Sequence, residues 1–218
     1  SDPTRQQADT LAQAGKTPLL FARDGALLGM IAVADTIKPD SPRAVARLRE
    51  MGIQVVMLTG DNERTAQAIG AQAGVDEVIA GVLPGGKEET IRKLQQRGPV
   101  AMVGDGVNDA PALTRADVGI AINTGAAIAR EIADVTIASE DLFELVILRR
   151  LSQQLMRRIQ RNYRFIVAFN CMLIALGVAG VIQPTTSALL HNASTLGISL
   201  DSMTDLLKKE EQPKLPEA

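Results

Sequence analysis

Met102-Val103-Gly104-Asp105-Gly106-Val107-Asn108-Asp109-Ala110-Pro111-Ala112-Leu113 joins an apolar run to a loop holding two carboxylates and a carboxamide within five residues. The run from Val100 to Val103 is short and rich in valine, as expected of a strand buried on both faces of a parallel sheet. Gly104 and Gly106 let the backbone turn sharply at its carboxyl end. Ligands bind outside the carboxyl ends of such strands. Asp105 is therefore placed as a hard oxygen ligand for Mg²⁺, while Asn108 and Asp109 return to the same point before Pro111 opens a helix. The competing reading is two acidic residues in a solvated turn.

Upstream, the same strand-then-polar-turn pattern repeats. Thr4 to Ala14 has the pattern of a short helix stopped by Gly15. Thr17 to Ala22 and Leu27 to Val33 are apolar runs separated by Asp24-Gly25, a hairpin signature. Ser41 and Pro42 are expected to start a helix that runs to Met51 and is capped by Gly52. Ile53 to Leu58 is a buried strand ending in Thr59-Gly60-Asp61-Asn62, and Glu63 to Gly74 is a helix. Val78 to Ala80 is a short strand, and Gly86 to Arg97 a helix near whose start Lys87 stands.

Downstream, Val118 to Ile122 gives a strand, Ala126 to Ile132 a short helix and Val135 to Ile137 an edge strand. Right-handed crossovers then make one doubly wound parallel α/β sheet, with Asp61, Lys87, Asp105, Asn108 and Asp109 on its carboxyl edge. From Leu142 the character changes. A helical pattern to Arg164 carries Arg149, Arg150, Arg157, Arg158, Arg161 and Arg164 and runs into the uncharged stretch Phe165 to Ile182. Gln183 to Thr186 form a turn, and Ser187 to Leu200 is a weaker apolar stretch. The expectation is a two-helix transmembrane hairpin with its arginines on the cytoplasmic side.

Asn170 and Cys171 fall within the first of these helices, and His191, Asn192, Ser194 and Thr195 within the second. Polar groups in a bilayer are costly, so they are candidates for holding a transported ion, although they also serve to hydrogen-bond two helices together. Imidazole suits a divalent transition metal. Of the 218 residues one, Cys171, is a cysteine, so no internal disulfide can form and a reducing compartment is expected for the soluble part. A formal net charge of -2 leaves no basic footprint for nucleic acid.

Taken together, Thr59-Gly60-Asp61-Asn62, Lys87 and Gly104 to Leu113 resemble the phosphorylation domain of P-type ATPases, within the haloacid dehalogenase superfamily. Asp35-Thr36-Ile37-Lys38-Pro39 is similar to the hinge by which that domain resumes after the nucleotide-binding insertion, and Ala116 to Ile122 continues the pattern. Two terminal helices and a short tail resemble the heavy-metal-transporting branch. The resemblance implies that Asp105 ligates Mg²⁺, that Asn108 and Asp109 order the metal and phosphoryl site, and that Thr59, Gly60 and Lys87 hold phosphoryl oxygens, with Asp61 shaping the same loop. It also implies ATP as the fuel of the full-length protein and a cation such as zinc, cobalt, cadmium or copper as its cargo. The stretch from His191 to Thr195 looks closer to a cobalt- or zinc-type motif than to a copper-type one.

The family's nucleophile is an aspartate on the first strand of the sheet, in an Asp-Lys-Thr-Gly-Thr motif that this chain does not contain. Ala22 stands where the small soluble phosphatases of the superfamily carry theirs, so Asp24-Gly25 is taken as a turn. The expected organisation is a remnant of the nucleotide-binding domain and return hairpin over 1–33, an incomplete haloacid-dehalogenase-like phosphorylation domain over 34–141 and a basic juxtamembrane helix over 142–164. Two transmembrane helices over 165–207 and a disordered tail over 208–218 follow. The chain is expected to be the C-terminal part of a multi-pass cell-membrane transporter with its sheet domain in the cytoplasm, inactive without its N-terminal portion. The alternatives are a free-standing phosphatase and an inactive regulatory fragment that binds Mg²⁺ and phosphate.

Overall fold

A computed structural model describes residues 3–13, 16–34, 37–105, 108–122, 131–139 and 141–207. The chain forms two compact units that divide between Glu144 and Leu145. The hinge residues Asp35 and Thr36, the motif residues Gly106 and Val107, most of the expected helix 126–132 and the tail 208–218 lie outside the described residues.

The first unit starts with α1 (Pro3–Gln13) and the hairpin β1 (Lys16–Arg23) and β2 (Ala26–Ala34). Asp24 and Gly25 both adopt positive φ, 49° and 81°, which makes them the two-residue turn the sequence signalled. Among the described residues the ribbon has no third strand, and Leu19, Leu20, Phe21, Leu27, Leu28 and Ile31 all stay exposed.

Next come α2 (Ser41–Glu50), β3 (Val56–Leu58), α3 (Glu63–Ala73), β4 (Glu77–Ile79), a 3₁₀ turn at Pro84–Gly86 and α4 (Lys87–Gln95). Then follow β5 (Ala101–Gly104), α5 (Ala110–Arg115), β6 (Val118–Ile122) and β7 (Val135–Ile137). Asp40 is the cap of α2 and Ser41 its first, buried residue, so the helix starts at Ser41-Pro42 as expected. Gly74 ends α3 in the left-handed region (φ 75°), and its N–H donates to Gly70 O.

The single continuous sheet expected from the β-α alternation is not formed by the described residues. β3 pairs in parallel with β4, β5 with β6 and β6 with β7, and no hydrogen bonds join the two pieces. They nonetheless lie over one core, because Leu58 at the end of β3 packs against the cluster of Ile91, Met102, Ala112 and Leu113. β3 is only half-buried along its length, whereas an interior parallel strand is normally covered on both faces.

Each parallel pair opens with the same device. Val55 N–H donates to Asp76 Oδ2 (2.8 Å), Val100 N–H to Asp117 Oδ2 (2.7 Å) and Gly119 N–H to Asp134 Oδ2 (2.8 Å). In every case the aspartate immediately precedes the later strand, so its carboxylate satisfies a backbone donor at the start of the earlier one.

The second unit contains most of α6 (Phe143–Val178) and α7 (Pro184–Ser202), an antiparallel pair. Arg158 donates to Ser202 O, Thr204 O, Thr204 Oγ1 and Asp205 O, closing the carboxyl end of α7. Arg161 pairs with Asp201, and Asn162 Nδ2 donates to Ser202 Oγ.

Two helices form near the expected places, although Pro184 to Thr186, expected in the turn, already belong to α7; the expected bilayer hairpin does not follow, because no helix among the described residues is long and apolar enough to cross a membrane. Gly180 at φ 72° stops α6, with Val181 N–H returning to Leu176 O, so Ala179 to Ile182 fall outside the helix. The uncharged part, Phe165 to Val178, rises about 21 Å at 1.5 Å per residue, short of a hydrocarbon core of about 30 Å. α7 carries His191, Asn192, Ser194, Thr195 and Asp201.

Candidate functional site at the carboxyl ends of the parallel strands

The loops that leave β3, β4 and β5 carry the candidate residues. After β3, Thr59 Oγ1 donates to Asp61 Oδ2 (2.9 Å) and accepts from Asp61 N–H (3.1 Å). Thr59 and Asp61 thus hold one another. The loop is tied to the segment after β4 by Thr59 N–H to Ile79 O (3.0 Å), Val82 N–H to Thr59 O (3.0 Å) and Gly81 N–H to Asp61 O (2.8 Å). Asn62 has a local role: its Oδ1 accepts from Thr65 N–H at the start of α3.

Lys87 opens α4 and reaches the loop after β5, where its Nζ lies 2.5 Å from Asp109 Oδ1. The two side chains are 16% and 14% exposed, which separates this pair from the solvated ion pairs elsewhere on the unit. The other oxygen of Asp109 folds back over Gly104, where an added Cβ would sit 2.6 Å from Oδ2. Gly104 is therefore required for that close approach and does not adopt a positive φ. Asp105 is exposed at the end of β5, Asn108 is exposed beyond it, and α5 starts with Pro111 in its first turn.

A Mg²⁺ ion takes oxygen ligands and commonly keeps several waters, using one or two carboxylates with substrate phosphate. The described residues contain no group of three His, Cys, Asp or Glu that could hold a metal ion. Exposed Asp105 and Asn108 beside a carboxylate already neutralised by an ammonium fit that shared mode of binding, with phosphate completing the shell.

Among the polar residues of the helix pair, His191 Nδ1 lies 2.8 Å from Asn170 Oδ1. Ser194 Oγ and Thr195 Oγ1 both donate to His191 O (2.8 and 3.0 Å), so their hydroxyls serve the helix backbone. Cys171 and Asn192 are exposed. Of the six candidates, one pair is thus joined side chain to side chain.

The carboxyl of Asp117 is held below its usual range by the hydrogen bond from Val100 N–H and then by the Gln95 side chain. Burial, then the charge of Asp141, raises Glu144.

The family model for haloacid dehalogenase-like hydrolases matches residues 2–117, more than half of the chain and all the loops just described up to α5 and the start of β6. The chain belongs to the haloacid dehalogenase-like hydrolases. Within that family it is 47% identical over 185 residues to copper-transporting ATPase 1 of Rhizobium meliloti (strain 1021), covering 84% of this chain and 22% of the relative. It is 46% identical over 190 residues to the silver exporting P-type ATPase of Salmonella typhimurium, covering 87% and 23%. A crystal structure of a zinc-transporting PIB-type ATPase in the E2.Pi state superposes with a TM-score of 0.82 at 33% identity, over 93% of this chain and 34% of that one. The chain thus spans about a quarter of the length of the curated relatives it matches.

The aspartates Asp76, Asp117 and Asp134 escape a search for chemistry, because their work is structural. Their signal is positional: an aspartate stands directly before each of the runs that form β4, β6 and β7.

Proposed function

We propose that this chain is the C-terminal part of an ATP-driven heavy-metal cation transporter, carrying the Mg²⁺- and phosphate-binding half of a phosphorylation site without its nucleophile. The observation that carries the reading is the Lys87–Asp109 pair, shielded from solvent beside exposed Asp105, at the end of a parallel sheet divided between β3 and β5. The reading puts the nucleophile's strand into that division, where the unpaired edges of β3 and β5 offer backbone groups to a parallel strand.

Each residue then has a stated task. Lys87 and the backbone of Thr59 and Gly60 hold phosphoryl oxygens, Asp61 fixes the Thr59 hydroxyl, and Asp105 with Asn108 faces the metal. Asp109 keeps the Lys87 ammonium aimed at the same point. Mg²⁺, when bound, supplies neutralisation of the charge that builds on the transferring phosphoryl group. The residues do the rest by positioning: phosphoryl transfer asks mainly for fixed positive charge and donors around the group in flight.

The hairpin β1–β2 is read as the returning edge of a nucleotide-binding part, which accounts for its uncovered apolar faces. The helix pair is assigned to the membrane part of the transporter, where neighbouring helices would cover its polar groups, with the sheet unit in the cytoplasm. Asn170 and His191 are the residues assigned to the transported cation, a divalent transition metal in preference to a monovalent one.

The test is phosphoenzyme formation. The full chain incubated with labelled ATP and Mg²⁺ is expected to form no acid-stable, hydroxylamine-sensitive phosphoprotein, since no nucleophile is present. Fusing an upstream segment with an Asp-Lys-Thr-Gly-Thr strand should create one, and Asp105→Asn in the fusion should remove it. Labelling of the chain alone, or no labelling of a folded fusion, refutes the assignment.

A further inference from the structure

The arginines of α6 are unevenly used. Arg158 is spent on the carboxyl end of α7, and Arg161 is paired with Asp201. Arg157 and Arg164 are exposed and make no ion pair among the described residues. Arg157, Arg161 and Arg164 are spaced four and three residues apart, so they share one face of the helix. No aspartate or glutamate occurs between Leu145 and Leu200 to oppose them.

Directly after Arg164 the surface turns apolar. Phe165 stacks on Phe169 with ring centroids 5.5 Å apart, and Tyr163, Phe165, Ile166 and Val167 are all exposed. At the junction a cleft of about 350 Å³ opens between the two helices. Arg161, Asn162 and Asp201 form its polar side, and Phe165 and Ile198 form its apolar side. A cationic rim, exposed tyrosine and phenylalanine at the border and an apolar groove beneath match the layers of a phospholipid interface.

We infer that Arg157, Arg161 and Arg164 form a site for the phosphate of an anionic phospholipid, whose glycerol and proximal acyl carbons lie in the cleft against Phe165 and Ile198. Arg157 and Arg164 supply the unpaired charge, and Arg161 exchanges part of its contact with Asp201 for the phosphate. The inference rests on the membrane placement proposed above and adds lipid selectivity to it.

Flotation of the full chain with vesicles tests both separately. The detergent-solubilised chain is diluted into vesicles of phosphatidylcholine alone or of phosphatidylcholine with about one fifth phosphatidylglycerol, and aggregates are left behind in the gradient. Each arginine near such a surface is worth about fivefold in partitioning. Arg157→Gln with Arg164→Gln should therefore lower binding to the anionic vesicles about 25-fold and leave binding to the neutral ones unchanged. Arg92→Gln with Lys93→Gln, which removes the same charge from α4, should change neither. Equal binding of the parent chain to both vesicle types overturns the lipid site while keeping the membrane placement, and flotation with neither overturns both. Displacement from anionic vesicles by inorganic phosphate at constant ionic strength assigns the arginines to free phosphate and overturns the lipid reading.

Discussion

Replacing Lys87 by methionine keeps most of the side-chain stem and deletes the charge that Asp109 faces. The carboxylate left behind is 14% exposed and lies against the backbone at Gly104, so neither water nor a rotamer change readily replaces the ammonium. Removing one partner of a fully buried pair costs about 3–5 kcal/mol, and for a pair that retains some solvent we take about 2–3 kcal/mol. The loss should appear locally, at α5 and the end of β5, because Asp109 O also accepts the Leu113 N–H that closes the first turn of α5. Hydrogen exchange read by mass spectrometry over residues 101–115 suits a chain of two units, whose global unfolding need not be one transition. With exchange limited by the opening equilibrium, that loss corresponds to roughly 30- to 150-fold faster exchange there, with α3 unaffected. Combining Lys87→Met with Asp109→Leu should cost less than the two single changes added together, by about 1–3 kcal/mol, since the pair is lost only once. Exchange within threefold of the parent in Lys87→Met, or strict additivity in the double variant, would show that the pair is incidental.

Gly119→Ala should destabilise β6 by about 1–3 kcal/mol, because the new Cβ would meet the Leu113 carbonyl oxygen at 2.6 Å and backbone cannot step aside as a side chain can; urea titration followed by exchange at β6 measures it. For Asp117 the folded carboxyl is lowered, so its contribution is present above the unfolded value of about 3.9 and lost as pH falls through the folded one. Asp117→Asn should therefore narrow the stability gap between pH 6 and pH 2 and speed exchange at Val100. Glu144 is raised, so the folded state is favoured below the ordinary value of 4.5, and that favour is lost as pH rises through the folded one. Glu144→Gln should raise thermal stability at pH 7 and leave it unchanged at pH 3.

The parts of the fold that follow from local chemistry were legible in the sequence. Asp24-Gly25 can serve as a two-residue turn at positive φ, and the glycine-bearing polar turns after β3 and β5 mark strand ends whatever surrounds them. The closeness of Lys87 and Asp109 is foreshadowed for the same reason, since both sit where a strand or turn hands over to a helix. Gly104 was noticed for the wrong cause, because close approach of Asp109 depends on packing that no local pattern encodes. The clamps at Asp76, Asp117 and Asp134 join residues 15 to 21 positions apart, and a lone acid before a strand looks like any solvent-facing carboxylate until its partner is known. The length of α6 was overestimated because hydropathy continues through Ala179 to Ile182, whereas the backbone stops at Gly180.

The division between β3 and β5 ties these observations together. A β-α alternation specifies parallel strands but not which neighbour each one takes, so sequence order alone suggests one continuous sheet. Leu58 packs on the core beneath β5 although the described strands β3 and β5 exchange no ladder hydrogen bonds, so apolar contacts hold the two pieces over one core without a ladder between them. Among the described residues no strand pairs with the facing edges of β3 and β5, and each backbone group there that exchanged water for a strand partner would add about 1 kcal/mol net. The exposed edges are short, three and four residues, and so they tolerate solvent better than a long flat edge would. A strand entering there would end beside Thr59 on one side and Gly104 on the other, which brings its carboxyl end to the loops bearing Asp61, Lys87 and Asp105. On the function proposed above, the gap in the sheet and the site have one explanation: a strand that took up the free edges of β3 and β5 would also bring its carboxyl end towards the Lys87–Asp109 pair.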